Sequence, residues 1–382
     1  LDPGRQIKYK RVENYWAKDL PVNKGLYKFD AIIYDYYKDS NVLVEAFKVG
    51  EYDFRREYNV KRWLTEYDFK AVNSGEVILE EMNNDRPVGM NGLVMNTRRD
   101  IFNNRNVRLA LSYAYEHEWI NKTIYQNAYV RTDSFFDNSP LASSGLPSKE
   151  ELELLDVWKD QIPSEVFTET FTPPTTDGSG NERKNLLKAK DILEKEGWMV
   201  ENGKLFKDGQ EFKFEFLIVS PSDEKIALAY QSNLKKLGIT MDVRTVDSSQ
   251  YQERLLSYDF DMIKRSWGVS LSPGTEQQFY WGSEVGQKDG SSPSPGIDSP
   301  AVDALIEKLI PASNRQELTT AIHALDRVLL WGHYVVPLYH SNKDRIADWD
   351  FFEYPEEIPL YGIVIESWWI TYDKQYIYRP FL

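Results

Sequence analysis

Three strand-like runs separated by helical stripes constrain the fold of this 382-residue chain more than any other feature. Apolar and polar residues alternate over 212–218 and 239–243, and residues 260–267 form a third strand-like run. Apolar residues at helical spacing fill both intervals, and Gly238 ends the first helical stripe. The order strand–helix–strand–helix–strand with short connections predicts an α/β layer with parallel strands.

The end of the third run is the candidate binding site that this pattern predicts. In α/β layers, ligands usually bind outside the carboxyl ends of the strands, where loops converge. The run ends in Arg265, Ser266 and Trp267, and residues 268–274 that follow are rich in Gly, Ser and Pro. Such a composition is typical of an exposed, turn-forming loop.

Patterns elsewhere predict further elements and a domain interrupted by an insertion. Short strands are predicted at 6–12, 31–34, 92–96, 334–336 and 362–365, and helices at 42–48, 103–125, 186–197, 300–309 and 318–329. Both ends of the chain have strand-and-turn character, whereas the middle alternates strands and helices. We therefore expect the chain to cross between two bodies twice.

Composition excludes several functional classes. The net charge of −14, from 46 Lys and Arg against 60 Asp and Glu, argues against a nucleic-acid binder. The absence of cysteine excludes disulfides, thiolate zinc sites and iron–sulfur clusters. The four histidines have no metal-ligand spacing, so no metal or other cofactor is implied. The sequence has no apolar stretch near 18 residues and is not expected to span a membrane.

Aromatic residues make up 14% of the chain, which has two readings. They can form a large core, or they can line a ligand cleft, because pockets are mostly apolar and aromatic. Composition alone does not separate these readings.

Several blocks of sequence resemble one known family. Residues 96–102 (Asn-Thr-Arg-Arg-Asp-Ile-Phe) and 106–114 resemble the helix signature of bacterial extracellular solute-binding proteins of family 5, the oligopeptide- and dipeptide-binding receptors of ABC importers. Residues 186–198, 258–262 and 300–309 resemble the same family in the same order. The segments 9–16, 35–39 and 46–53 and the tryptophan-rich tail resemble its YejA-like branch.

The resemblance implies an α/β, periplasmic binding protein-like (class II) fold of two lobes joined by a hinge. Family members begin well before the segment that corresponds to Leu1, so we expect an N-terminally truncated chain. In this interpretation, residues 1–91 end the first part of lobe I, which is incomplete. Residues 92–334 form the complete inserted lobe II, and residues 335–382 return to lobe I.

The implied function is that of a receptor and not of an enzyme. A periplasmic, secreted protein would bind oligopeptides or peptide-like compounds between two lobes by hinge closure and deliver them to an inner-membrane ABC permease. Its signal peptide would lie outside this chain.

Two positions in the loop match ligand-binding positions of the family. Trp267 matches a tryptophan that packs on the ligand. An aspartate three residues later grips the ligand's amino terminus in those relatives, but here that position is Ser270, a neutral hydroxyl that cannot form the charge-assisted bond. Glu276 is the nearest downstream carboxylate that can substitute.

The other candidate ligand contacts also have structural readings. Arg265 can pair with a ligand carboxylate through its planar guanidinium or can lie at a strand edge in solvent. Gln277 and Trp281 are weaker candidates, and Trp267 itself can be a core residue.

Two charged clusters support alternative readings. Asp259 and Asp261 lie on one face of a strand, and paired carboxylates with aromatic platforms would suit a glycan-acting hydrolase. Arg98, Arg99 and Arg105 would suit an anion site, although ordinary ion pairs are the commoner role of such a cluster.

Overall fold

The computed structural model describes residues 4–220, 223–286 and 294–371. The chain divides into two compact units. The first unit comprises Leu1–Arg86 and Ser341–Leu382, and the second unit comprises Pro87–His340. These divisions fall a few residues from the boundaries predicted after 91 and after 334, and the assignment of the units to lobes stays a prediction.

The strands are short, and most belong to small sheets. In chain order they are β1 Gln6–Lys10, β2 Ala31–Asp35, β3 Phe54–Arg56, β4 Val77–Asn83, β5 Val88–Gly89, β6 Asn91–Met95, β7 Val130–Arg131, β8 Phe136–Asp137, β9 Met199–Glu201, β10 Lys204–Lys207, β11 Gln210–Glu211, β12 Lys213–Ile218, β13 Thr240–Thr245, β14 Met262–Ser266, β15 Val335–Pro337, β16 Tyr339–His340, β17 Lys343–Trp349, β18 Phe352–Glu353 and β19 Trp369–Ile370.

The longer helices lie in the second unit. In chain order the helices are α1 Ser40–Lys48, α2 Val60–Glu66, α3 Lys70–Asn73, α4 Asp100–Asn103, α5 Arg105–Tyr113, α6 His117–Tyr125, α7 Lys149–Leu155, α8 Glu165–Thr168, α9 Arg183–Lys195, α10 Glu224–Lys236, α11 Ser248–Leu256, α12 Glu276–Trp281, α13 Ser283–Gly286, α14 Pro300–Leu309 and α15 Arg315–Trp331. Within the described ranges, no helix is both long enough and apolar enough to cross a membrane.

The second unit is built on a mixed sheet, with the order β13-β12-β14-β6-β15 among the described residues. Strand β12 pairs in parallel with both β13 and β14, which confirms the predicted α/β layer. Strand β6 runs antiparallel to both β14 and β15. Residues 335–337, predicted to begin the return segment of lobe I, therefore add a strand to this sheet.

Buried side chains form a core on each face of this sheet. Alternate residues of a strand point to opposite faces, and Phe216 and Leu217 of β12 accordingly belong to different apolar clusters. The cluster of Phe216 includes residues of α5, α9 and α10, whereas that of Leu217 includes residues of α14 and α15. Ser299 caps α14, because its hydroxyl accepts a hydrogen bond from the amide of Val302.

The predicted helix over 103–125 is wrong at its middle, where the structure has two helices, α5 and α6. Four consecutive residues between and at the start of these helices are buried: Ala114, Tyr115, Glu116 and His117. A helix on the surface of a core buries one stripe, so four consecutive buried residues are easier to accommodate where the helix is interrupted. The interruption occurs at Glu116, which has φ −104° and ψ 83°.

The first unit holds a hairpin of β1 and β2 and an antiparallel sheet in the order β3-β17-β4. The carboxylate of Asp344 on β17 is 2.9 and 3.0 Å from Nη2 of Arg86 and 3.4 Å from Arg56. The strand predicted over 362–365 is not present: Gly362 has φ +80°, and a short 3-10 turn follows at Ile365–Ser367. The positive φ at Gly362 places the backbone of a turn where the apolar pattern indicated a strand.

Both outer strands of the five-stranded sheet carry features that hinder further pairing. Strand β13 carries Asp242 and Arg244, which form ion pairs with Lys213 and Glu215 of the neighbouring strand β12. The opposite outer strand, β15, ends in Pro337, which has no backbone N–H.

Candidate functional site

The loop after β14, residues 267–275 and here called the Trp267 loop, lies at the carboxyl end of the parallel strands. Its first residue is fixed by the backbone: the amide of Trp267 donates to the carbonyl of Met90 at 3.0 Å. A Cβ added at Gly89 would lie 1.9 Å from the carbonyl oxygen of Trp267. Only glycine therefore permits this close approach. Neither Gly89 nor Met90 was predicted from the sequence to support the loop.

Trp267 is a core residue of the second unit, with 4% of its surface exposed. Its ring lies 4.7 Å from that of Trp281, which packs edge-on against Phe135 at 4.8 Å. The indole N–H of Trp267 is buried and has no hydrogen-bond partner among the described residues. This burial favours the core reading of Trp267, and direct contact with a ligand stays a prediction.

Gln277 and Trp281 support the Trp267 loop from α12. Gln277 is fully buried, and its Oε1 accepts the indole N–H of Trp281 at 3.0 Å. Its amide nitrogen donates to Glu276 at 3.2 Å. This arrangement satisfies the buried polar groups of both side chains and leaves them little surface for a ligand.

Ser270, Glu276 and Arg265 reach the surface at this site. Ser270 is exposed, and its hydroxyl accepts the amide of Ser272 at 3.1 Å. Glu276 is half-buried and accepts the amide of Gly274 at 2.9 Å, which fixes the end of the loop. Arg265 is half-buried with its guanidinium 5.6 Å from the ring centre of Trp267.

Aromatic side chains surround Arg265. Burial lowers the pKa of its guanidinium, and the hydroxyls of Tyr251 and Tyr280 act in the opposite direction. A partly desolvated cation on an aromatic wall is suited to binding the carboxylate or the carbonyl groups of a ligand.

The other charged candidates are held in ion pairs. Arg99 contacts Asp259 and Asp261 at 3.0 Å each. Asp259 also accepts from Arg254 at 3.1 Å, and Arg105 pairs with Glu165 at 2.9 Å. Asp259 and Asp261, the two carboxylates of the hydrolase alternative, therefore belong to a network of ion pairs. Ion pairing is also the commoner role that was expected for Arg99 and Arg105.

A pocket of about 400 Å³ opens near the carboxyl end of β6, at the sheet edge opposite the Trp267 loop. Arg98 lines it, stacks on Tyr258 at 3.9 Å and donates to Ser294 O at 3.2 Å. Arg108 lines it as well and donates to the carbonyl of Gly332 at 2.7 Å. Both arginines therefore donate hydrogen bonds to backbone carbonyls. Within the described ranges, no group of acidic or histidine side chains could hold a metal ion.

Comparison with known proteins shows relatives over nearly all of the chain. The protein named "Probable peptide-binding protein YejA" of Agrobacterium fabrum is 42% identical over 374 residues, which cover 97% of this chain and 61% of that protein. "Peptidoglycan-binding protein YepA" of the same organism is 38% identical over 378 residues, covering 97% and 62%. The chain thus spans about three fifths of the length of the curated relatives it matches.

Solved structures share the fold. The oligopeptide-binding protein AppA from Bacillus subtilis, in complex with a nonapeptide, superposes with a TM-score of 0.65 at 19% identity, covering 97% of this chain and 65% of AppA. This likeness confirms the predicted α/β, periplasmic binding protein-like fold. The model of the bacterial extracellular solute-binding proteins, family 5 Middle, matches residues 1–289. The chain belongs to family 5 of the bacterial extracellular solute-binding proteins.

Proposed function

We propose that the protein is the solute-binding receptor of a bacterial ABC importer and that it binds peptides or peptide-like compounds without altering them. The observation that carries the proposal is the 42% identity, over 97% of this chain, to a relative named for peptide binding. The ion pairing of Asp259 and Asp261 supports a receptor over a hydrolase, since neither carboxylate is held ready as an acid or a base.

The ligand contacts in the second unit come from the Trp267 loop and its neighbours. Arg265, Ser270 and Glu276 contact the ligand, and exposed backbone of the loop hydrogen-bonds to it. Trp267, Gln277 and Trp281 act mainly as the packed support of this surface, which keeps the loop in one conformation. Pre-organisation of this kind lowers the entropic cost of binding.

The chemistry of Ser270 favours ligands that lack a free amino terminus. An exposed hydroxyl hydrogen-bonds to an amide as well as to an ammonium group, whereas a carboxylate would favour the ammonium strongly. Stem peptides of peptidoglycan have their amino end blocked by an amide, and a 38% identical relative is named for peptidoglycan binding. We therefore propose peptidoglycan-derived peptides as ligands in addition to ordinary oligopeptides.

Transport follows the scheme of periplasmic binding proteins. Two lobes close about a hinge on the ligand, and the closed form docks on an inner-membrane permease in the periplasm. Closure needs no covalent step and no cofactor, because its free energy comes from the contacts that the ligand makes in the closed form.

Native mass spectrometry of the protein purified from its own host tests the proposal directly. We expect a co-purified ligand whose fragmentation gives amino-acid masses, with or without an attached amino sugar. Oligosaccharide panels incubated with the same preparation provide the control, and we expect them to remain intact. A glycan cleaved by the pure protein, or a bound ligand without amino acids, would contradict the proposal.

A further inference from the structure

Four buried polar atoms between α6 and β7 lack hydrogen-bond partners among the described residues. They are Nε and Nη2 of Arg131, the hydroxyl of Tyr115 and Nδ1 of His117. Tyr115 and His117 have 0% and 4% of their surface exposed. A buried polar group without a partner is costly, so several such atoms on neighbouring side chains point to a polar occupant.

Arg131 is a neighbour of both other side chains. The Arg131 guanidinium carbon lies 5.4 Å from the centre of the Tyr115 ring. Burial, followed by the charges of Arg131 and His340, lowers the pKa of His117 to about 3, so its imidazole is neutral. Nδ1 of His340 is itself engaged, at 3.3 Å from the hydroxyl of Thr132 and 3.4 Å from Asp137.

Among the side chains that the structure describes, no carboxylate forms an ion pair with the guanidinium of Arg131. The one hydrogen bond that the guanidinium of Arg131 makes among the described residues is that of Nη1 to the carbonyl of Pro174 at 3.4 Å. Asp133 and Glu118 act on the guanidinium only from beyond ion-pair distance, and Glu118 is engaged by the amide of Thr176 at 2.9 Å. A desolvated guanidinium without a counter-ion is costly, so a negatively charged occupant is favoured over water alone.

We propose that Tyr115, His117 and Arg131 form a buried binding site for a small monovalent anion of halide size. Nε–H and Nη2–H of Arg131 and the hydroxyl of Tyr115 donate to the anion, and the neutral imidazole of His117 offers a further N–H from Nδ1. This site is distinct from the Trp267 loop and holds α6 to β7, so its occupation stabilises the second unit.

Thermal melting in potassium chloride and in potassium gluconate of equal concentration tests the site, because gluconate is too large to enter. We expect the melting temperature to rise by several degrees with chloride, to saturate, and to rise likewise with bromide. Tyr115→Phe removes only the hydroxyl, so we expect it to reduce this rise without lowering the melting temperature in gluconate.

A matched control is available on the same face of the core. The hydroxyl of Tyr230 is also buried but donates to the carbonyl of Leu111 at 2.9 Å, and its ring packs on that of Tyr115 at 5.9 Å. Tyr230→Phe should therefore lower the melting temperature equally in both salts. A crystal grown in bromide should show an anomalous peak beside Arg131. Equal melting curves in chloride and gluconate, or water alone beside Arg131, would overturn the proposal.

Discussion

Replacing Glu116 with glutamine should remove a pH-dependent weakness of the second unit. Glu116 is 4% exposed and its carboxylate faces that of Glu182, which also receives Lys236. Burial first, and then the neighbouring carboxylate of Glu182, raises the pKa of Glu116 from 4.5 to about 7. The folded protein therefore binds a proton here between pH 4.5 and 7 that the unfolded chain does not bind.

The sign and size of the effect follow from linkage. Because the folded-state pKa is the higher one, the stabilisation is complete below pH 4.5 and is lost as the pH rises through 7. One pKa unit corresponds to about 1.4 kcal/mol, so the ionised carboxylate costs up to about 3 kcal/mol of unfolding free energy at pH 8. Glutamine still accepts from Gly180 and Thr176 and donates to Glu182 without ionising.

Urea unfolding monitored by tryptophan fluorescence, from pH 5 to pH 8, measures this directly. We expect Glu116→Gln to match the natural protein near pH 5 and to be about 1–3 kcal/mol more stable at pH 8. Glu118→Gln, the same change two residues further along the chain, is the control for the loss of a negative charge. A Glu116→Gln difference that does not vary with pH would refute the reasoning.

Three further substitutions test other parts of the structure. Trp267→Ala should lower the free energy of unfolding by about 3–5 kcal/mol in calorimetry, because it leaves a cavity in a packed core. A small loss of stability together with abolished peptide binding would instead show that Trp267 contacts the ligand. Ser270→Asp should tighten binding of a free peptide about tenfold over its N-acetylated form in titration calorimetry, and equal affinities would exclude contact with the amino end. Asp344→Asn should cost about 2–4 kcal/mol in urea unfolding through lost pairing with Arg86, whereas an unchanged midpoint would show that this pairing adds nothing.

Sequence patterns predicted those parts of the fold whose burial follows a simple period. Apolar and polar residues alternate over much of β12 and β13, so both strands were predicted close to their observed bounds. The break between α5 and α6 was missed because Tyr115 and Ala114 continue an apolar helical pattern while their burial depends on distant elements. Tertiary packing determines where the helix breaks in this segment, and the local spacing of apolar residues does not indicate it.

The place of the Trp267 loop at the carboxyl end of the parallel strands was predicted, but the burial of its first residue was not. The rule that ligands bind at the carboxyl ends of parallel strands selected the Trp267 loop. The inward orientation of Trp267 depends on Gly89 and Met90, which lie far away in sequence and only meet it through strand pairing. A glycine at a strand end was the one local signal of that approach.

The charged and proline-ended outer strands of the central sheet have a consequence for the proposed binding of peptides. An extended peptide can lengthen any sheet that offers an open row of amides and carbonyls, whatever its side chains are. Asp242 and Arg244 on one flank and Pro337 on the other make such adhesion unfavourable. A peptide ligand of the kind proposed is therefore disfavoured from adding to this sheet as an extra strand, so the outer strands do not compete with the reversible binding surface.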